Sequence, residues 1–274
     1  MSVRIAISNI AWDADEDTQI SRLLKKYSID AIDVAPGKYF VDPSKVSLKE
    51  IVRVKTQWAD NGIEITGMQG LLFGTKGLNI FGSKKSRDKM LSHLTHQARI
   101  ASGLGATRLV FGSPKNRNRE GLSDSQTSEI AEIFFSRLGD IAKIHNVDFC
   151  LEPNPAVYGS NFMTSTKETY DVVSAINHPA IKMQLDTGAI AIAEESISEI
   201  MGYSKDRIGH IHISDPGLSV IGDGDVNHIE NAKVLTSHFK NPLICIEMVS
   251  TNDEPHPVSV ERALAFVTNI YRGS

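Results

Sequence analysis

Short apolar runs rich in Val and Ile alternate along the chain with longer stretches whose apolar residues recur at helical spacing. This switching between a period of two and a period of 3.6 predicts repeated strand–helix units and a parallel sheet. Eight pairs can be traced. The first strand lies near 3–8 (VRIAIS), and the helix after it, near 15–27, opens on acids and closes on Lys25 and Lys26, matching the helix dipole. AIDVA, near 31–35, is the second strand; the helix near 47–61 starts at Ser47 with Glu50 three residues on, a capping-box signature, and stops at Asn61-Gly62. The third strand, 63–69, leads through a glycine-rich loop to a helix near 84–103 that ends at Gly103 and Gly105. TRLVFG is the fourth, followed by the polar loop SPKNRNREGLSDS and a helix near 124–145. The last four strands are VDFCLE, IKMQLD, IGHIHI and PLICIE, with helices near 166–177, 193–203, 228–238 and 257–271.

Eight such units in 274 residues allot about 34 residues to each, the length expected of a (β/α)₈ TIM barrel, and the whole chain, 1–274, reads as one such domain. An open doubly wound sheet would carry a glycine fingerprint after its first strand, and IAISNIAWD has none. Pro153, Pro155, Pro216 and Pro255 fall just beyond strands, where a missing amide donor breaks no ladder.

The formal charge of −4 gives no basic excess of the kind that a nucleic-acid partner rewards. No window approaches the roughly 20 apolar residues of a spanning helix, and the amino terminus is too short in apolar residues for a signal sequence, so no membrane partner and a cytoplasmic location are expected. The two cysteines, Cys150 and Cys245, each stand two residues before an acid at a strand end and should point into the barrel as small apolar filler.

The chemistry gathers at the ends of strands five to eight. Glu152, Asp186, His212 and Glu247 close or nearly close these runs, 34, 26 and 35 positions apart by residue number, and a barrel brings strand ends together around one mouth. Three carboxylates converging there would repel one another unless a cation compensates. One nitrogen and three carboxylate donors suit a divalent metal of hard to borderline character: Mn²⁺ first, then Mg²⁺, Co²⁺ or Fe²⁺, with Zn²⁺ also accommodated.

These residues in context, LEPNP, QLDTG, HIHIS and CIEMV, together with GDGDVN at 222–227, resemble the xylose-isomerase-like TIM barrel superfamily, the sugar phosphate isomerase/epimerase group, over essentially the whole chain. The resemblance implies a Glu, Asp, His, Glu metal quartet at Glu152, Asp186, His212 and Glu247, and pairing through barrel helices into a homo-oligomer. The chain departs from that pattern at Ala189, where many ketose epimerases of the group carry histidine, and at Asp215 and Leu218, where they carry a sugar-gripping arginine. A lysine–acid pair of related isomerases stands here as Ser214-Asp215.

The expected activity is that of a metal-dependent sugar isomerase or epimerase working through a metal-stabilised cis-enediolate, with Glu152 and Glu247 as the acid–base pair on opposite faces of the substrate. A dehydratase or lyase acting on a keto-sugar or keto-inositol is the alternative, since the same enediolate can expel a β-leaving group. Trp12, Gln69, Asn154, Tyr158, His210 and His228 are candidate contacts to the carbohydrate. The loops after strands seven and eight contain no Lys or Arg, which argues against a phosphate at the usual barrel location; Lys115 and Arg117, on the loop after strand four, are the candidates for an anion. An apurinic endonuclease would need more histidines at strand ends, and a barrel that only binds a partner would show a broken quartet.

Overall fold

Parallel strands cannot be joined by a tight hairpin; each must return through a crossover, and helices supply it. In the computed structural model, which describes residues 3–273, this rule closes on itself: β1 (Arg4–Ser8), β2 (Ala31–Val34), β3 (Glu64–Met68), β4 (Arg108–Phe111), β5 (Asp148–Leu151), β6 (Ile181–Asp186), β7 (Ile208–Ile213) and β8 (Leu243–Ile246) form a barrel in chain order. β8 pairs back onto β1 from Arg4↔Leu243 to Ile7↔Ile246, so among the described residues the barrel has no open strand edge.

Around it lie α1 (Asp17–Lys26), α2 (Leu48–Ala59), α3 (Lys84–Leu104), α4 (Asp124–His145), α5 (Thr166–Ile176), α6 (Thr187–Ile192), α7 (Ile197–Ser204), α8 (His228–His238) and α9 (His256–Tyr271). The capping box at the start of α2 forms as the sequence predicts, with Ser47 Oγ accepting from the Glu50 amide and the Glu50 carboxylate accepting from the Ser47 amide. One expectation needs correcting. The helix placed near 193–203 is α7, and a short helix that the sequence reading did not place, α6, precedes it and follows β6 with no loop between them. Asp186 itself caps α6, its Oδ1 accepting the Ala189 amide at 2.6 Å, so the chain turns from strand to helix at the residue that faces the barrel mouth.

The main core lies between the strands and the helices. Phe111, Phe149 and Leu151 point outward from β4 and β5, and Phe111 meets Phe135 of α4 edge to face with ring centroids 5.4 Å apart. Inside the barrel the side chains are different. Ala6, Ala31 and Cys245 form a small apolar layer of their own, and above it lie buried polar groups: Asp33, Gln184, His210 and His212. Both cysteines are buried and free, as expected. Among the described residues no helix is long and apolar enough to cross a membrane.

Candidate metal centre

The ladder between neighbouring strands sets the site. Asp186 of β6 lies in register with His212 of β7, and the amides of Glu152 and Glu247 extend the β5 and β8 ladders by one rung, donating to Phe111 O (3.1 Å) and Ile213 O (3.0 Å). One donor atom from each of Glu152, Asp186, His212 and Glu247 falls within 4.8 Å of the others. His212 presents Nδ1 to Glu247 Oε2 at 3.1 Å and to Glu152 Oε1 at 3.6 Å. Glu152, Asp186 and Glu247 keep 8, 6 and 7% of their residue surface, whereas His212 has none, so the acids rim the opening and the imidazole forms its floor.

Each acid is held by a neighbour. Gln69 donates from Nε2 to Glu247 Oε1 at 2.7 Å, Asn154 donates from Nδ2 to Glu152 Oε2 at 3.2 Å, and Ser214 Oγ donates to Asp186 Oδ2 at 2.9 Å. Two glycines make the room. A β-carbon at Gly112 would collide with the Glu152 carboxylate, and one at Gly188 would stand 2.5 Å from Ser214 Oγ.

The electrostatics follow from crowding like charges in an apolar surround. Burial, followed by the charges of Glu247 and Glu152, pushes Asp186 up to about 8. His212 moves above its ordinary value: burial opposes its charge, but Glu247, Asp33 and Glu152 outweigh it. Burial would raise Glu247 as well, yet His212 and Gln69 hold it below the usual carboxylate value. One imidazole therefore balances only part of three carboxylates. His212 Nδ1 and Glu152 Oε1 are, moreover, buried without a hydrogen-bond partner. Three oxygen donors and a nitrogen donor gathered at one point, two of the four with no hydrogen-bond partner, fit a divalent cation.

The mouth is a cavity of about 330 Å³ whose wall includes Glu152, Asn154, Tyr158, Asp186, Ala189, Ser214, Asp215, Leu218 and Glu247. Asn154 and Tyr158 thus line it, and the Tyr158 hydroxyl accepts the Gly217 amide at 2.8 Å, tying the loops after β5 and β7 together. Gln69 reaches it through Glu247.

Five other sequence candidates lie elsewhere. Trp12 is fully buried, donating from Nε1 to Asp17 Oδ1 at 2.9 Å and packing edge-on against Trp58, so it has no face to offer a sugar. His210 is one pleat below His212, its Nε2 2.5 Å from Asp33 Oδ2, and does not reach the cavity. His228 is neither a surface residue nor a wall of the mouth: Nδ1 contacts the Tyr271 hydroxyl at 2.9 Å and Nε2 faces Asp215 Oδ1 at 3.5 Å. Arg117 is not on a solvated loop. Its guanidinium is buried and donates to the backbone oxygen of Glu152 at 2.7 Å, and burial lowers it to about 10 even with Glu152 and Glu168 nearby. Lys115 remains exposed, apart from the lining of the cavity.

Of two further acids near the site, Asp33 went unmarked in the sequence and Asp215 was noted there only as a departure from the family pattern. Asp33 is buried inside β2, and its one signal is a charge at an inward position of the apolar run AIDVA. Asp215 turns its carboxylate away from solvent to accept the Gly222 amide at 2.7 Å, pinning the GDGDVN loop; Gly224 permits this, since a β-carbon there would lie 2.6 Å from Asp215 Oδ1.

Against known proteins, the chain aligns with the D-psicose 3-epimerase of Ruminiclostridium cellulolyticum at 29% identity over 108 residues, 39% of this chain and 36% of that enzyme, so the match spans about a third of the relative's length. The crystal structure of D-psicose 3-epimerase with D-tagatose from Clostridium cellulolyticum H10 superposes with a TM-score of 0.80 at 18% identity, covering 98% of this chain and 100% of that one. The IOLI protein with a binding zinc atom superposes at 0.75 and 13% identity, over 98% of each chain. The family model described as xylose isomerase-like TIM barrel matches residues 21–270. With nearly the entire barrel inside that match, the chain belongs to the xylose isomerase-like TIM barrel family.

Proposed function

We propose that this protein is a divalent-metal-dependent isomerase or epimerase of a neutral sugar or sugar derivative. The observation that carries the reading is the placement of Glu152 and Glu247: they come from the ends of β5 and β8, on different walls of the barrel, toward the same nitrogen of His212, Nδ1. The epimerase names of the aligned relative and of the superposed structure point the same way.

The residues that would hold the cation are Glu152, Asp186, His212 and Glu247. When bound, it supplies Lewis-acid polarisation of a carbonyl and its neighbouring hydroxyl, which acidifies the carbon–hydrogen bond beside the carbonyl. The protein does the rest. One glutamate removes the proton from that carbon and the other delivers a proton to its opposite face, which inverts the centre; delivery to the former carbonyl carbon instead exchanges aldose and ketose. Gln69 and Asn154 keep the two carboxylates aimed, through the hydrogen bonds to Glu247 and Glu152. Asn154 and Tyr158 stand where they can meet sugar hydroxyls.

Four acids and no lysine or arginine line the cavity, a field that repels a phosphorylated substrate and suits an uncharged polyol. Manganese is the cation we assign from the oxygen-rich donor set; a cytoplasmic, homo-oligomeric enzyme completes the proposal. The test is solvent exchange: metal-loaded protein with a panel of unphosphorylated ketoses in deuterated water should place deuterium on the carbon beside the carbonyl. No exchange across the panel would remove the proposal. A product lighter by one water would move it to a dehydratase, a reading that Ala189 in the cavity wall keeps open.

A further inference from the structure

Beneath the quartet lies a carboxylate that the proposed proton transfers do not use. Asp33 sits inside the barrel without any exposed surface, on the far side of His212 from the mouth. His212 divides its two nitrogens between these environments: Nδ1 faces Glu247 and Glu152 at 3.1 and 3.6 Å, and Nε2 faces Asp33 Oδ2 at 3.8 Å. The same oxygen lies 2.5 Å from His210 Nε2, and Oδ1 accepts from the Thr66 hydroxyl at 3.0 Å. The place is built. β3 offers Gly67 there, where a β-carbon would stand 2.6 Å from both carboxylate oxygens, and the β2–β3 register shifts between Ile32 and Asp33.

A neutral imidazole carries a single N–H, and which nitrogen bears it is set by what each one faces. An ionised carboxylate only accepts. At 3.8 Å the Asp33–His212 contact is electrostatic rather than a full hydrogen bond, but it favours a proton on Nε2 and leaves the Nδ1 lone pair pointing at the acids. We propose that Asp33 is a positioning residue that fixes His212 as its Nε2–H tautomer, so that Nδ1 is the nitrogen offered to the cation. This rests on the metal reading above. Asp33, His210, His212 and Cys245 also lie close enough together to form a second cluster of ligand-type atoms. The hydrogen bond between His210 and Asp33 already engages two of its members, and all four are closed to solvent, so the cluster serves as support rather than as a second metal site.

The experiment uses the full chain labelled with ¹⁵N-histidine and loaded with ¹¹³Cd²⁺. One cadmium resonance should appear, coupled to Nδ1 of His212, with Nε2 of the same ring protonated. Asp33→Asn, and Gly67→Ala, which displaces the carboxylate without removing its charge, should each weaken cadmium and manganese binding about 10- to 100-fold in chelator competition. Coupling to Nε2 would overturn the proposal, and so would unchanged affinity in a folded Asp33→Asn protein or a second cadmium signal in the thiolate region from Cys245. The wild-type coupling decides the tautomer even where a variant does not fold. A wild-type protein that takes up no cadmium would instead remove the metal reading and this inference with it.

Discussion

At the scale of single residues the account turns on how buried acids are held. Gln69→Leu removes the hydrogen bond that aims Glu247. A bond to a charged group is worth about 1.5–3 kcal/mol, so kcat should fall about 10- to 100-fold with KM changed much less, as steady-state kinetics on the ketose identified by exchange would show. Asp215 makes a prediction about pH. Burial would raise it, but His228 and the Gly222 and Gly224 amides hold it below the ordinary carboxylate value. A folded value below the unfolded one contributes stability at neutral pH that is lost as pH falls through the folded value. Asp215→Asn should therefore melt below wild type at pH 7, and the gap should narrow in scans below about pH 4; a constant gap would contradict the assignment. The quartet was legible in the sequence because strand ends in a barrel share a mouth, which turns spacing into proximity. Asp33 was not, because a lone acid inside an apolar strand acquires meaning only when His210, Thr66 and Gly67 from other strands surround it. Arg117 misled for a related reason: an arginine on a polar loop reads as a contact for an anion until the fold tucks its guanidinium beneath the backbone of Glu152.

At the scale of elements, local signals were strong where caps spoke. Ser47 with Glu50, and Gly105 in the left-handed region at φ 93°, mark helix ends close to where the sequence put them. Ser47→Ala should cost about 1 kcal/mol in denaturant unfolding while leaving metal affinity unchanged, since α2 carries no part of the site. The missed element is α6. Its six residues are too few for a periodic signal, and its cap is Asp186, a residue the sequence marks as a candidate ligand. The short helix has a function in the site: the Ala189 amide and the Ser214 hydroxyl each take one oxygen of Asp186, fixing the carboxylate between strand and helix. Ser214→Ala should accordingly weaken manganese binding several-fold by isothermal titration, with α6 intact by amide exchange.

Across the whole molecule, two cores do different work. The layer between strands and helices supplies stability: Phe135→Ala, deleting a ring packed against both Phe111 and Phe134, should cost about 3–5 kcal/mol and leave the tautomer of His212 untouched. The barrel interior gives up apolar packing for polar groups, with Asp33, Gln184 and His210 where layers of branched apolar side chains usually sit. That exchange makes sense if the interior supports the quartet above it. The alternation of strand and helix was readable from the sequence because each period is local; the polar interior was not, because inward positions announce themselves only after eight strands close. The central claim is one cation held by four strands, and anomalous diffraction at the manganese edge from crystals soaked in Mn²⁺ tests it most directly. The account predicts a single strong peak within coordination distance of Glu152, Asp186, His212 Nδ1 and Glu247, lost in Asp186→Ala; an empty mouth under saturating Mn²⁺, or a peak elsewhere, would contradict it.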